Sequence, residues 1–569
     1  MKGSNILLES LLAEGVDTIF GYPGGQIMPV YDALYDYQDR LRHVLVRHEQ
    51  GAVHAAQGFA RMQGRPGVVT VTSGPGATNV ITGIADAMID STPLVVIAGQ
   101  VGVDFLGTDA FQETDVLGMT IPITKWSYQI RRPEDIAWAV ARAFYIAGSG
   151  RPGPVVLDLT RDAQVKEAEF KYEKIDFIRS YVPYPQAKDE DIARAAEMIN
   201  DSLRPMVLFG QGVTISNAED KLAAFLDKAN LPAGGTLLGL SAIASSNPHF
   251  VGMLGMHGSV ASNVMTQKSD LIIAIGMRFD DRVTGKLSQY AADAKVIHID
   301  IDPSEIGKNV PVDLGIVADA SSVLEKLIPL VEYKDRTSWL AVKDTCYKAE
   351  KAEVCDKECR PGSGLIKMGE VVDMVASVSG EKAVVVTDVG QNQMMAARYS
   401  RFLDRRSMVT SGGLGTMGFG LPAAIGCKIA QPQRQVCLFV GDGGLQMTIQ
   451  ELGTIMQEHT GVKIVLLNNN WLGNVRQWQE LFWDARYSNT RMLNPDYGKI
   501  AAAYDIAYRC VESREDLEDA VRAMLADPSE AFLLDVHVEE EGMVFPMIPP
   551  GKSVDEIMLD TEKWFEYGE

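Results

Sequence analysis

Ten short runs rich in Val, Ile and Leu recur along the 569 residues, and they restrict the fold more than any other feature. They are Val68–Thr72, Leu94–Ala98, Val155–Leu159, Met206–Phe209, Leu271–Ile275, Val296–Ile301, Ala383–Thr387, Val436–Val440, Val462–Leu467 and Phe532–Val536. Most are continuous rather than alternating, which suits strands covered on both faces and hence parallel α/β sheets. Helical patterns separate them. Two stretches read as connectors. Residues 171–191 are charged and carry Pro183 and Pro185; residues 333–364 are charged, helical and close on Pro361-Gly-Ser-Gly364. The chain then divides into three units of roughly 150–180 residues, an ordinary domain size. The predicted architecture is three doubly wound parallel-sheet α/β domains, over 1–170, 190–335 and 365–545, with a tail over 546–569.

Two of the runs deliver chemistry at their carboxyl ends, where ligands collect in an open parallel sheet. Val436–Val440 leads into Gly441-Asp442-Gly443-Gly444, and Val462–Leu467 leads into Asn468-Asn469-Asn470. A carboxylate and a carboxamide beside a glycine turn suit Mg²⁺ carrying a diphosphate. Mg²⁺ takes few protein oxygens and completes its octahedron with phosphate oxygens and water. The glycines let backbone N–H groups approach the anion, and a helix starting there adds its positive end. The spacing, 469 − 442 = 27, resembles the thiamin diphosphate signature. That cofactor also needs a carboxylic acid for its aminopyrimidine nitrogen, one whose pKa is raised in an apolar pocket. Arg47-His48-Glu49-Gln50-Gly51-Ala52, at the start of a helix after the short strand His43–Val46, resembles the catalytic glutamate segment of such enzymes. Alone, Glu49 would read as a solvated acid favoured by the helix macrodipole. Coupled with Asp442 and Asn469, the catalytic reading prevails.

Composition excludes several classes. A net charge of −22 argues against nucleic acid or an anionic membrane as partner. No apolar run approaches the roughly 18–20 residues that span a bilayer. Glu9 interrupts the N-terminal apolar stretch, so no signal peptide is expected. Six scattered cysteines suggest a reducing compartment. A soluble, cytoplasmic protein is expected.

A longer ordered set of motifs is more specific. Gly21-Tyr-Pro-Gly-Gly25, the Glu49 segment, Ser73-Gly-Pro-Gly-Ala-Thr-Asn79, Ala110-Phe-Gln-Glu113 and Ser149-Gly-Arg-Pro-Gly-Pro154 occur in order. Leu254-Gly-Met-His-Gly258, Arg278-Phe-Asp-Asp-Arg-Val-Thr-Gly285, Gly412–Gly420, Gln477-Trp478-Gln479 and Pro549-Pro-Gly-Lys552 follow. From end to end the chain resembles the catalytic subunits of the acetohydroxyacid synthase (acetolactate synthase) family, in its biosynthetic, FAD-containing branch.

The resemblance implies thiamin diphosphate, Mg²⁺ and FAD as cofactors, with pyrimidine-binding and diphosphate-binding domains flanking a Rossmann-like one. It implies decarboxylation of pyruvate and ligation of the two-carbon remainder to pyruvate or 2-oxobutanoate, toward valine, leucine and isoleucine. By the same resemblance, Glu49 acts on the aminopyrimidine, and Gly25, Phe111 and Gln112 surround the reacting centre. Gln391, Asn392, Gly441, Asp442, Gly443, Gly444, Asn469 and Gly473 meet the diphosphate, and Met417 props the cofactor. The metal takes Asp442, Asn469 and the backbone carbonyl of Trp471. Arg151, His257, Arg278, Asp300 and Asp319 fall on flavin contacts, the flavin being structural. Arg282 matches the residue that holds the second acid's carboxylate, and Trp478 the one that favours the extra methyl of 2-oxobutanoate. The resemblance further implies a homodimer with its site at the interface, pairing of dimers into tetramers in some members, and a small regulatory subunit. Gln26, Arg161, Asn392, Trp471 and Asn474 depart from the residues many relatives carry there. The nearest rival is a thiamin-dependent oxidase or non-carboligating decarboxylase, from which Arg282 with Trp478 separates this chain. A non-catalytic flavin-binding regulatory protein is the remoter rival, and intact Glu49, Asp442 and Asn469 argue against it.

Overall fold

All ten apolar runs are strands in the computed structural model, which describes residues 1–567. Gly568 and Glu569, the end of the tail expected over 546–569, lie outside the described residues. Eighteen strands form three six-stranded sheets in which every strand pair is parallel. The first sheet holds β1 Thr18–Gly21, β2 Arg42–Leu45, β3 Gly67–Val71, β4 Leu94–Gln100, β5 Trp126–Ile130 and β6 Pro154–Thr160. The second holds β7 Pro205–Phe209, β8 Ala233–Gly235, β9 Phe250–Met253, β10 Leu271–Ile275, β11 Lys295–Asp300 and β12 Leu314–Val317. The third holds β13 Val384–Thr387, β14 Met408–Val409, β15 Val436–Gly441, β16 Val462–Asn468, β17 Ala507–Val511 and β18 Phe532–His537.

The first sheet runs β2-β1-β3-β4-β6-β5 and the third β14-β13-β15-β16-β18-β17, the same order in each unit. The middle sheet runs β12-β11-β10-β7-β8-β9, the Rossmann order, with its switch point between β7 and β10. Every residue of β3, β4, β6, β7, β10 and β16 is buried, as helices on both faces require. Residues 171–188 form no helix or named strand; 333–364 holds the helix Thr337–Glu350, a π-helical turn Lys351–Cys355 and Asp356–Cys359. No described helix is long and apolar enough to cross a membrane.

One apolar core runs from the first sheet into the third, from Val44 and Val69 to Val386 and Leu438. At its centre the helices Glu49–Gln63 and Gly420–Ala430 touch backbone to backbone. A Cβ on Gly426 would stand 2.7 Å from the carbonyl carbon of Ala55 and 2.9 Å from Phe59 N. One on Gly58 would stand 2.9 Å from the carbonyl carbon of Ala423. Only glycine admits so close a crossing.

Candidate active site

At the carboxyl ends of β13, β15 and β16 the chain turns into the helices Gln391–Tyr399, Asp442–Met447 and Gly473–Phe482. Their N-cap residues, Gly390, Gly441 and Leu472, supply no side-chain cap. Three sets of leading N–H groups and three positive helix ends are thus left for an anion, a cradle that fits a diphosphate. The cradle is tight: a Cβ on Gly473 would stand 2.8 Å from both Asn469 Nδ2 and Gln391 Cδ. Gln391 is buried; its Nε2 donates to Gln477 Oε1 (3.2 Å) and Gly542 O (2.8 Å), while its Oε1 has no partner.

Asp442 is fully buried. Its Oδ1 accepts from Gly443 N (3.0 Å) and its Oδ2 from Asn494 Nδ2 (2.7 Å), and no cationic side chain pairs with it among the described residues. Burial pushes its carboxyl above the usual carboxylate range. An uncompensated buried carboxylate is costly, and a divalent cation would relieve it. Asn469 is buried beside it, its Oδ1 accepting from Trp471 N (3.2 Å). Met417 reaches the same spot, its Cε 3.6 Å from where a Cβ on Gly443 would be. Asn392, expected on the diphosphate, has its side-chain nitrogen committed elsewhere. Its Nδ2 donates to Asp388 O (2.9 Å) and Phe439 O (3.0 Å), which uses both amide hydrogens. Asn392 therefore braces β13 against β15, and its backbone N–H remains among the leading groups of the cradle.

Glu49 is the first residue of its helix, and the side chain of His48, the N-cap, accepts from Gln50 N. Asn79 Nδ2 donates to Glu49 Oε2 at 2.9 Å. Glu451, from the segment after β15, accepts from Arg47 N (3.1 Å) and so steadies the turn that presents Glu49. A Cβ on Gly76 would meet Thr72 Cγ2 at 2.8 Å and Glu49 Oε1 at 3.5 Å, and one on Gly24 would meet Thr72 Cβ at 2.5 Å. Gly25, Gly76 and Glu49 thus share the carboxyl end of the first sheet. Gln112, in a left-handed conformation (φ 61°), packs on Gly74. Phe111 beside it is 85% exposed, a large apolar side chain with nothing over it. The apolar enclosure expected around Glu49 is not made by one chain, for Glu49 is only half-buried. Among the described residues no hydrogen bond, ion pair or common cavity wall joins Glu49 to Asp442.

Three buried carboxylates that the sequence reading missed hold the loop carrying Met417. Asp90 accepts from Gly412 N (2.9 Å), Gly413 N (2.7 Å) and Arg61 (2.9 Å). Asp86 accepts from Thr416 Oγ1 (2.8 Å) and from Ser411 Oγ. Asp388 accepts from Gly418 N (3.0 Å) and Gly420 N (2.9 Å). A signal was available for Asp86, the one charge in the apolar helix Ile81–Ile89.

Arg151, His257, Arg278, Asp300 and Asp319 all line one cavity of about 580 Å³. It opens over the Rossmann switch point, where Gly210 and Gly212 follow β7 and Gly276 follows β10. A Cβ on Gly212 would stand 2.6 Å from Gly276 Cα, so the walls are bare backbone, as a dinucleotide requires. Burial raises the Asp300 carboxyl to about 6 and lowers His257 to about 4. Arg151 is engaged by Asp302 (3.1 Å) and Glu305 (2.8 Å), and Asp319 caps the helix Ala320–Leu327 through Ser322 N (3.1 Å). The cavity continues to Gly390, Gly413, Asn474, Arg282 and Trp478. The Arg282 guanidinium lies 6.0 Å from the centre of the Trp478 ring. The same pair walls a second cavity of about 160 Å³ with Pro549, Pro550 and Gly551.

Residues 1–119 match the family description "Thiamine pyrophosphate enzyme, N-terminal TPP binding domain", residues 192–327 its "central domain" and residues 388–536 its "C-terminal TPP binding domain". Two sheets of one topology around a Rossmann sheet, with an anion cradle on the last, thus define a thiamine pyrophosphate enzyme. The chain is 42% identical over 568 residues to the acetolactate synthase large subunit of Haemophilus influenzae, covering 98% of each chain. It is 42% identical over 559 residues to that of Lactococcus lactis, covering 98% of this chain and 96% of that one. Over 560 residues it is 42% identical to the acetolactate synthase isozyme 2 large subunit of Escherichia coli, covering 98% and 99%. It belongs to the family of acetolactate synthase large subunits.

Proposed function

We propose that this chain is the catalytic subunit of a biosynthetic acetolactate synthase, which decarboxylates pyruvate and joins the two-carbon remainder to a second 2-oxo acid. The observation that carries the reading is the meeting of an uncapped three-helix cradle with an unpaired buried carboxylate, Asp442, in a chain of this family. Thiamin diphosphate supplies the carbon nucleophile and the electron sink. The leading N–H groups at Gln391, Asn392, Gly444 and Gly473, with the bare backbone of Gly441 and Gly443, would hold its diphosphate, and Mg²⁺ would take Asp442, Asn469 and the Trp471 carbonyl. Glu49 would exchange a proton with the aminopyrimidine, and the Met417 side chain would pack against the bound cofactor. Gly25, Phe111 and Gln112 shield the reacting carbons from water. Arg282 pairs with the carboxylate of the acceptor acid, a task for a guanidinium fork. Trp478, next to Arg282, gives the ethyl group of 2-oxobutanoate an apolar wall.

FAD would lie in the switch-point cavity against Arg278, Asp300, Asp319, Arg151 and His257, in a structural role. Half-open Glu49 and uncovered Phe111 favour a homodimer in which a second copy closes each site, with dimers able to pair. The large-subunit relatives favour a small regulatory partner. We assign the pyrimidine unit to 1–170, the flavin unit to 190–335 and the diphosphate unit to 365–545, in a cytoplasmic enzyme. The test is a product assay with pyruvate, 2-oxobutanoate, thiamin diphosphate, Mg²⁺ and FAD. Formation of 2-aceto-2-hydroxybutanoate, lost on stripping FAD and restored by adding it, is expected. Acetaldehyde or acetyl phosphate as the product overturns the reading.

A further inference from the structure

Asn494 stands in neither signature motif, yet it ties the two together. Its segment is drawn across the carboxyl end of the third sheet by backbone pairing: Met492 N donates to Asn470 O and Leu472 N to Thr490 O, each at 2.8 Å. The Asn494 amide nitrogen then lies 2.7 Å from Asp442 Oδ2, 2.9 Å from Asn468 Oδ1 and 3.2 Å from Asn470 Oδ1. Gln446 Nε2 donates to Asn494 Oδ1 at 3.0 Å, which decides which end of the carboxamide faces these oxygens. The shortest contact goes to the carboxylate, where a hydrogen bond is charge-assisted and strongest. Asp442 receives its other hydrogen bond from the backbone, Gly443 N, so Asn494 is the side chain that fixes its orientation.

The second hydrogen of the same amide goes to Asn468 Oδ1, so Asn470 Oδ1 at 3.2 Å is a close neighbour rather than a third full bond. Asn470 sits in a left-handed conformation (φ 59°), a strained turn for a residue with a side chain. Tying Asn468 to Asp442 fixes the start of that turn, within which Asn469 Oδ1 accepts from Trp471 N. Thus one residue, 52 positions from Asp442 and 26 from Asn468, ties the carboxylate of one motif to the asparagine run of the other.

We infer that Asn494 is a positioning residue for the divalent cation, holding the Asp442 carboxylate and the Asn469 loop in register before the cation arrives. The inference rests on the reading of Asp442 and Asn469 as cation ligands. Losing an outer partner of a metal ligand weakens metal affinity about 10–100-fold. The test is titration of Mn²⁺ into the protein with thiamin diphosphate present, followed by the electron paramagnetic resonance of free Mn²⁺. Asn494→Ala is expected to weaken Mn²⁺ by that factor, while the circular dichroism and melting temperature of the metal-free protein stay at wild-type values. A merely structural role would instead lower that melting temperature and leave the affinity alone. Gln446→Leu, which removes the donor that orients Asn494, is expected to weaken Mn²⁺ less, in the same direction. Unchanged affinity in Asn494→Ala, or in Gln446→Leu should the first variant not fold, overturns the role of Asn494. A wild-type protein that takes up no Mn²⁺ overturns the ligand reading itself, so the two failures are distinct.

Discussion

Replacing Gly426 with alanine tests the crossing that locks the Glu49 helix to the helix after the Met417 loop. The added Cβ would stand 2.7 Å from the carbonyl carbon of Ala55 and 2.9 Å from Phe59 N. The Ala55 carbonyl oxygen stands closer still, and ordinary contacts are about 3.5–4 Å, so the helices must part by more than about 1 Å. The obstructing atoms are backbone, so no rotamer change can relieve the clash. Overpacking of a close-packed core costs about 1–3 kcal/mol and more where nothing yields, which puts this site near 3–4 kcal/mol. Alanine returns about 1 kcal/mol through its helix propensity. The net loss is about 2–3 kcal/mol. For a unit of this size each kcal/mol moves the melting temperature by roughly 2–4 °C, which gives a fall of about 4–12 °C. Differential scanning calorimetry at one fixed scan rate reads it, because a chain this long need not refold reversibly. Gly58→Ala meets the same crossing, and the double variant should fall by less than the sum, since parted helices accommodate both methyl groups. A Gly426→Ala protein that melts at or above the wild-type temperature would refute the tight crossing.

Glu49→Gln should slow carboligation by about 10²–10⁴-fold in a protein with a wild-type melting curve; near-normal turnover would remove Glu49 from the chemistry. Trp478→Leu should narrow the preference for 2-oxobutanoate over pyruvate by up to about 1–3 kcal/mol, read as the product ratio in direct competition. Asp300, raised from 3.8 to about 6 by burial, should make FAD affinity depend on pH. Between those values the folded apo chain keeps a proton that the unfolded chain has lost, so this group's contribution to stability is greatest at low pH and falls as pH rises to 6. A ribose hydroxyl donates better to the carboxylate, so FAD should bind more tightly as pH rises from 5 to 7. Flavin fluorescence titrations should show that rise in the wild type and a flat profile in Asp300→Asn; equal slopes would refute it.

How much of this was legible follows from where each residue packs. β3 and β10 declare themselves because all five residues of each are buried, and burial on both faces leaves an unbroken apolar run. β5, Trp-Ser-Tyr-Gln-Ile, and β17, Ala-Tyr-Arg-Cys-Val, are edge strands with mixed exposure, and their polar residues hide them. β14 has two residues and no pattern to detect. The shared order of the first and third sheets is invisible for another reason: strand order is set by long-range pairing, which leaves no local signature. The site divides along the same line. Asp442 and Asn469 were legible because adjacent strands, β15 and β16, deliver them at a fixed spacing. Asp90, Asp388 and Asn494 were not, because each acts by a hydrogen bond to a segment whose proximity only the fold creates.

The motif reading paired Glu49 with Asp442 as two halves of one site, yet the chain keeps them apart. Each half has its own hydrogen bonds: Asn79 holds Glu49 and Glu451 the turn at Arg47, while Gly443 and Asn494 hold Asp442. The crossing at Gly58 and Gly426 leaves no slack for one unit to swing toward the other. With Phe111 85% exposed beside the half-site, the homodimer proposed above would complete it by docking rather than by closure. In that proposal a second copy would supply the complementary half in the same geometry, and a protein that stays monomeric at assay concentration while turning over pyruvate would refute it.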